Sequence, residues 1–230
     1  MREGLGADGI IKDGAIYVSG KNIVEVRLFK DLKAQYPTAT IVGSPRFWIT
    51  PGFVNAHQHG KGMTSFQLGA LDEPLELTRV KAAPQAKIPP YLDTLYAALR
   101  MIEAGVTTCL HYNSSRGPTQ YESDVRERIK AYAEAGIRVS FGLDIRDRNH
   151  LVYGDEDFLA GLPPTLKEPA RAKITEPRTA NPENYFRLVD QLTDELRNDR
   201  DGRIQLFLTP AGPQWCTEDL LRTIHRIADD

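Results

Sequence analysis

Ile49-Thr-Pro-Gly-Phe-Val-Asn-Ala-His-Gln-His-Gly60 decides how this chain is read. Pro51-Gly52 is a corner, and Phe53 to His59 is a short, mostly apolar strand. Side chains i and i+2 of a strand lie on one face, so His57 and His59 point together and Gln58 points away, toward a helix layer. Gly60 lets the chain turn off without placing a side chain in front of the pair. The C-terminal end of a strand is where α/β sheets and barrels place their sites. Two imidazoles side by side there suit one divalent metal ion, zinc or iron, since both accept nitrogen ligands. The competing reading is an accidental His-x-His, and the position at a strand end after a Pro-Gly corner argues against it.

Downstream, strand and helix signals alternate. Leu92, Leu95, Leu99 and Ile102 recur at helical spacing and Gly105 closes that helix. Val106 to Tyr112 reads as a strand. Val125, Ile129 and Tyr132 mark a helix ending at Gly136, and Ile137 to Ile145 reads as the next strand. A Pro- and charge-rich insertion then runs to about Ala180. Asn181-Pro182 is an N-cap followed by proline at the first helical position, with Tyr185, Leu188, Val189, Leu192 and Leu196 on one face. Ile204 to Leu208 is a fourth strand, and a last helix starts at Thr217. Such alternation predicts an α/β fold of parallel βαβ units over residues 53–230. A closed eightfold barrel takes about 250 residues, so periodicity alone leaves an open four-stranded sheet and half a barrel as alternatives. Upstream, residues 1–52 read as a small β domain. Gly9–Gly14 reads as a strand then a tight turn, and Ala15–Ser19, Asn22–Val26, Thr38–Val42 and Phe47–Thr50 as further strands, with a helical connector over Leu28–Ala34.

Composition excludes several classes. The 230 residues carry 29 basic and 31 acidic side chains, a formal charge of −2, so no field draws the protein to nucleic acid or acidic lipid. No apolar run approaches the roughly 18 residues of a membrane span, and Met1 to Ile10 lacks the pattern of a secretory signal. Cys109 and Cys216 make no disulfide framework and read as buried thiols. A soluble, cytoplasmic globular protein is the expectation.

Four segments carry a family resemblance. Pro51-Gly-Phe-Val-Asn-Ala-His-Gln-His59 resembles the first-strand metal motif of the amidohydrolase superfamily, P-G-[LF]-[IV]-[ND]-x-H-x-H. Asp13 to Val26 resembles its β-sandwich segment, and Glu103-Ala-Gly-Val-Thr-Thr108 resembles its junction of first helix and second strand. Leu208-Thr-Pro-Ala-Gly-Pro-Gln-Trp-Cys-Thr-Glu-Asp-Leu-Leu221 is similar to the strand-four segment of the cytosine deaminase and chlorohydrolase branch. The resemblance implies a small N-terminal β-sandwich segment and the first half of a (β/α)8 TIM-like barrel. It implies His57 and His59 as the first two ligands of one divalent metal. The superfamily's later histidines and its catalytic aspartate have no counterpart up to Asp230. The other half of the barrel is therefore expected from the full-length chain or a second polypeptide, and the complete protein is expected to be a homo-oligomer. Ile204 to Gln214 holds no lysine, which resembles the single-metal type. Ala211, flanked by Gly212 and Gln214, stands where adenosine-type deaminases carry a histidine. A sheet with two open edges and an uncovered inner face predicts that residues 1–230 by themselves aggregate, fold marginally or pair with another chain.

Four polar residues are candidates to line the substrate site: Gln67, His111, Asn113 and Gln214. His111, beside Asn113 at the end of a strand, either faces the mouth or is a buried histidine satisfied by backbone. Gln67 lies with Asp72, Glu73 and Glu76 in the long loop after the histidine pair, where a grip on substrate competes with a solvated loop. The function that the resemblance implies is metal-dependent hydrolysis of C–N bonds other than peptide bonds. Deamination or hydrolysis of a nitrogen heterocycle or cyclic amide by a metal-activated water comes first. A non-catalytic scaffold or assembly subunit is the alternative.

Overall fold

The computed structural model describes residues 9–71, 73, 88–114, 117–150, 152–175, 181–197 and 202–229. The chain divides into two compact units, residues 1–51 and 52–230. In the first, β1 (Gly14–Ser19) pairs antiparallel with β2 (Asn22–Leu28), and α1 (Phe29–Gln35) follows at once. Tyr17 of β1 stacks on Tyr36 at 3.7 Å between ring centroids.

The strands expected at Gly9–Gly14, Thr38–Val42 and Phe47–Thr50 do not form among the described residues. Gly9 to Asp13 is a turn into β1, and the other two segments run as irregular chain. Their β-branched content supplies propensity only, and a strand exists through its ladder partner. Ile41, Val42, Phe47, Trp48 and Ile49 are exposed, Val42 at 91%, and no ladder partner for them lies among the described residues.

The second unit is an α/β fold. Its strands β3 (Phe53–Gln58), β4 (Val106–Tyr112), β5 (Arg138–Ile145) and β6 (Ile204–Pro210) form one parallel sheet in sequence order. Helix α2 (Pro90–Glu103) joins β3 to β4, and α3 (Tyr121–Ala135) joins β4 to β5. Two short helices, α4 (Asp155–Gly161) and α5 (Pro164–Thr175), occupy the segment that sequence marks only as an insertion. Helix α6 (Pro182–Arg197) leads into β6, and α7 (Glu218–Asp229) closes the described chain. Asn181 caps α6 as its sequence predicts, its side-chain oxygen accepting the Asn184 amide at 2.8 Å. No helix of the described residues is long and apolar enough to cross a membrane.

The core lies on one side of this sheet. Val139, Phe141, Leu143 and Ile145 of β5 pack against Tyr121, Val125 and Tyr132 of α3, Tyr185, Leu188 and Leu192 of α6, and Leu220 and Ile224 of α7. Each such side chain contributes about 1.5–3 kcal/mol when fully buried, which makes the helix-facing rows of β4 to β6 the main determinant of the fold. The alternate residues of the same strands face the other way, and those rows carry the candidate site.

Candidate active site

The first strand is not regular. Asn55 pairs with Cys109 and Gln58 with His111, so three steps along β3 match two along β4. The extra residue is a bulge, which shifts the phase of the side chains. Asn55 and Gln58 consequently both face the helices: Asn55 Nδ2 lies 3.6 Å from Met101 Sδ, and Gln58 Nε2 lies 3.5 Å from Cys109 Sγ. Gln58 also donates to the Tyr132 hydroxyl. Bulges occur where a strand must re-aim a side chain, and here the residues re-aimed are the histidines.

His57 and His59 sit edge to face, ring centroids 4.9 Å apart. Both meet the ring of Tyr112 on β4, at 5.5 and 6.5 Å. His59 Nδ1 is 2.8 Å from the Tyr112 carbonyl oxygen. A carbonyl only accepts, so that ring nitrogen carries the proton and Nε2 keeps its lone pair. Burial lowers the His59 pKa; the bond to Tyr112 opposes that, and the neighbouring His57 adds to it. A neutral imidazole with one nitrogen fixed by a backbone carbonyl is the form that binds metals. The pair therefore fits as two nitrogen ligands of a divalent ion. Among the described residues no group of three or more His, Cys, Asp or Glu side chains forms a fuller set.

Gly60 follows the pair with φ +63°, and a Cβ there would come within 2.7 Å of His111 Cε1. Its need for glycine thus comes from the packed side of the strand. The Thr94 hydroxyl donates to its carbonyl at 3.1 Å and fixes the turn from behind.

His111 is fully buried on the helix side, stacked on Phe141 at 4.3 Å and bonded through Nδ1 to the Tyr132 hydroxyl at 2.9 Å. Burial holds its pKa well below the usual histidine range. Its tie is to a side chain rather than to backbone. Asn113, just past the end of β4, is also buried. Its Nδ2 donates to Asp144 Oδ1 at 2.9 Å, and its Oδ1 accepts from Arg128 Nη1 at 3.0 Å. Burial pushes the Asp144 carboxyl up to about 6 against the opposing Asn113 bond. Gln67 is exposed and closes its own turn, its Oε1 accepting the Thr64 amide at 2.8 Å. Gln214 lies in a short 3-10 helix (Pro213–Trp215), where its carbonyl accepts from Asn149 Nδ2. Asp72 and Glu76 lie outside the described residues. Cys109 and Cys216 are buried and free, and burial raises both thiol pKa values, Cys109 to about 11.

The structure adds residues that a reading of single segments misses. Tyr112, Gly142 and Phe207 lie in one row across β4, β5 and β6. Tyr112 and Phe207 meet edge to face at 6.3 Å, and Asp144 stands one step further toward the strand ends. Strand alternation places Tyr112 opposite to His111, but its meeting with Phe207 depends on the register between strands.

The fold and the site define a class: an α/β protein with a parallel sheet whose first strand ends in a paired-histidine site. The chain belongs to the amidohydrolase family, which matches residues 48–230. It is 29% identical over 140 residues to a 5-methylthioadenosine/S-adenosylhomocysteine deaminase of Syntrophus aciditrophicus, covering 57% of this chain and 29% of that protein. A second deaminase of that name, from Pelotomaculum thermopropionicum, is 31% identical over 108 residues, 45% of this chain and 25% of the relative. Among solved structures, a mutant atrazine chlorohydrolase from Arthrobacter aurescens TC1, complexed with zinc and atraton, superposes with a TM-score of 0.68. It shares 20% identity over 96% of this chain and 47% of that one. Guanine deaminase from C. acetobutylicum with bound guanine gives 0.60 and 14% over 94% and 45%. The chain thus spans about half the length of these structures, and its matches cover under a third of the curated relatives. At these identities the structural likeness is one of fold.

Proposed function

We propose that this chain supplies the first half of a metal-dependent hydrolase that breaks C–N bonds other than peptide bonds in a small nitrogen heterocycle or cyclic amide. In this reading the four-stranded sheet is half of a (β/α)8 barrel, and residues 1–52 contribute to a β-sandwich. The rest of the barrel comes from the remainder of a longer chain or from a second polypeptide. Deamination ranks first, since the relatives of known name with the matching sequence are deaminases. The single observation that carries the proposal is the His57–His59 pair at 4.9 Å, with His59 Nδ1 tied to the Tyr112 carbonyl.

His57 and His59 would hold the ion, with zinc ahead of iron, since a structural neighbour is complexed with zinc. When bound, such an ion supplies an activated water for attack at an sp² carbon. The chain's own residues do the rest of the visible work. The Tyr112 carbonyl keeps the His59 proton on Nδ1, so that Nε2 faces outward as a base. Gln58, held by Tyr132 and Cys109, anchors the strand on its other side. The remaining ligands and the proton-handling carboxylate belong to the other half of the barrel. The complete protein is read as a cytoplasmic homo-oligomer acting on a small molecule, without nucleic acid or membrane partners.

The test is metal analysis and turnover of the complete protein. The wild type is expected to carry about one zinc or iron per chain and to release ammonia from an aminopurine or an aminotriazine. His59→Ala should lose most of both while remaining folded. A folded, metal-free wild type inactive on aminopurines, aminotriazines and cyclic amides would overturn the proposal in favour of a non-catalytic scaffold.

A further inference from the structure

Gly142 stands in the middle strand of the row that runs from Tyr112 on β4 to Phe207 on β6. A Cβ at this position would come within 2.7 Å of Phe207 Cζ, 2.7 Å of Thr209 Cγ2 and 3.0 Å of the His111 carbonyl oxygen. Real Cβ atoms do not approach so closely, so the absent side chain is the space in which the Phe207 ring lies. From there Phe207 meets Tyr112 at 6.3 Å with the ring planes at 81°, an edge-to-face arrangement. Tyr112 in turn touches both histidines. Its ring lies tilted against His57 at 5.5 Å and edge-on to His59 at 6.5 Å, and its carbonyl holds His59 Nδ1.

The geometry points to Phe207 as a positioning residue for the histidine pair: seated over Gly142, it holds the Tyr112 ring in the orientation against which the His57 and His59 rings are placed. Among the described ring pairs Phe207 meets Tyr112 and neither histidine. It acts through Tyr112, and Gly142 is the condition for its doing so. The inference rests on the reading of His57 and His59 as metal ligands. A single aromatic side chain three strands away then decides how well the ligands are presented, in the way outer partners of metal-bound histidines do.

Removing the buttress without adding bulk is the decisive variant. In the complete protein, Phe207→Leu is expected to weaken binding of zinc, added alone to the stripped protein, by about tenfold, the lower end of what loss of an outer partner costs. Its unfolding midpoint should stay close to wild type, because Phe207 lies on the partly exposed face of the sheet. In the metal-free protein the ring-proton shifts of His57 and His59, read by NMR, should move as the Tyr112 ring beside them is freed. Gly142→Ala, if folded, should weaken zinc binding at least as much as Phe207→Leu. Wild-type zinc affinity and unchanged His59 shifts in Phe207→Leu would overturn this role while leaving the histidine pair intact. A wild type that binds no zinc would instead overturn the metal reading, and this one with it.

Discussion

The two faces of the four-stranded sheet follow different rules. On the helix side, Cys109, His111, Phe141, Leu143 and Ile145 are sealed, and His111 is held through Nδ1 by the Tyr132 hydroxyl while its buried Nε2 has no hydrogen-bond partner among the described residues. On the opposite side, His57 and His59 are exposed, Tyr112 and Phe207 are half-buried, and the aromatic contacts are edge-on rather than filled in. One set of strands therefore carries two kinds of information, alternating residue by residue. The closed face determines that the chain folds, and the open face determines what it presents. Substitutions on the two faces should separate cleanly, with stability responding to one and ligand chemistry to the other.

The largest effect is expected at Phe141, which packs in the core and stacks on His111 at 4.3 Å. Phe141→Ala should destabilise the chain by about 3–5 kcal/mol, the cost of a large aromatic cavity. Urea unfolding followed by circular dichroism measures it. A loss under about 1 kcal/mol would mean that the closed face is not where stability resides. Next comes the polar knot behind the histidines. Tyr132→Phe removes the hydroxyl that accepts from Gln58 Nε2 and donates to His111 Nδ1, leaving those two atoms with each other at 3.3 Å, and the two lost bonds contribute about 1–3 kcal/mol together. The same experiment checks it, and a neutral outcome would show that water replaces the hydroxyl there.

This division also marks what was legible in the sequence. β4, the α3 terminus at Gly136 and the Asn181 cap are readable because each is determined by residues within a dozen positions. The apolar spacing is local and a parallel βαβ unit brings its own covering helix. The N-terminal strands at Thr38–Val42 and Phe47–Thr50 failed because a strand needs a partner from elsewhere, and propensity says nothing of whether it arrives. Helices α4 and α5 hid under charge and under Pro169, which sits inside α5. At the site, the shared direction of His57 and His59 was visible from alternation. The bulge between Asn55 and Gln58 was not, nor was the row joining Tyr112 to Phe207, since both depend on inter-strand register.

Asp144 offers a test at the border between the faces. Its carboxyl, raised to about 6 by burial, has a higher pKa in the folded than in the unfolded chain, where about 3.9 is normal. Between about pH 4 and 6 the folded state holds a proton that the unfolded state has released, so stability falls as pH rises through that window. Above it the loss is complete, on the order of 2 kcal/mol after allowing for partial access of water. Asp144→Asn should flatten this slope, and it retains an oxygen to accept the Asn113 amide. Unfolding midpoints at pH 4 and 7 measure the difference. An unchanged slope in the variant would show that Asp144 is ionised freely and belongs to the open face.

The smallest stability effect should come from His57→Ala, and it sharpens the comparison most. His57 is exposed, at the end of an edge strand, and among the described residues its ring meets the rings of His59 and Tyr112. No buried group loses a hydrogen bond when it is removed, and no cavity opens in the core. Exposed substitutions of this kind fall within about 0.5 kcal/mol of neutral. The metal content of the complete protein should nevertheless drop to a small fraction of wild type, since one of two neighbouring nitrogen ligands is gone. Thermal unfolding of the metal-free protein isolates the first effect, and metal analysis isolates the second. If His57→Ala unfolds the metal-free chain as readily as Phe141→Ala does, the ring is a packing element. The open face would then be a core awaiting its cover rather than a surface built for a ligand.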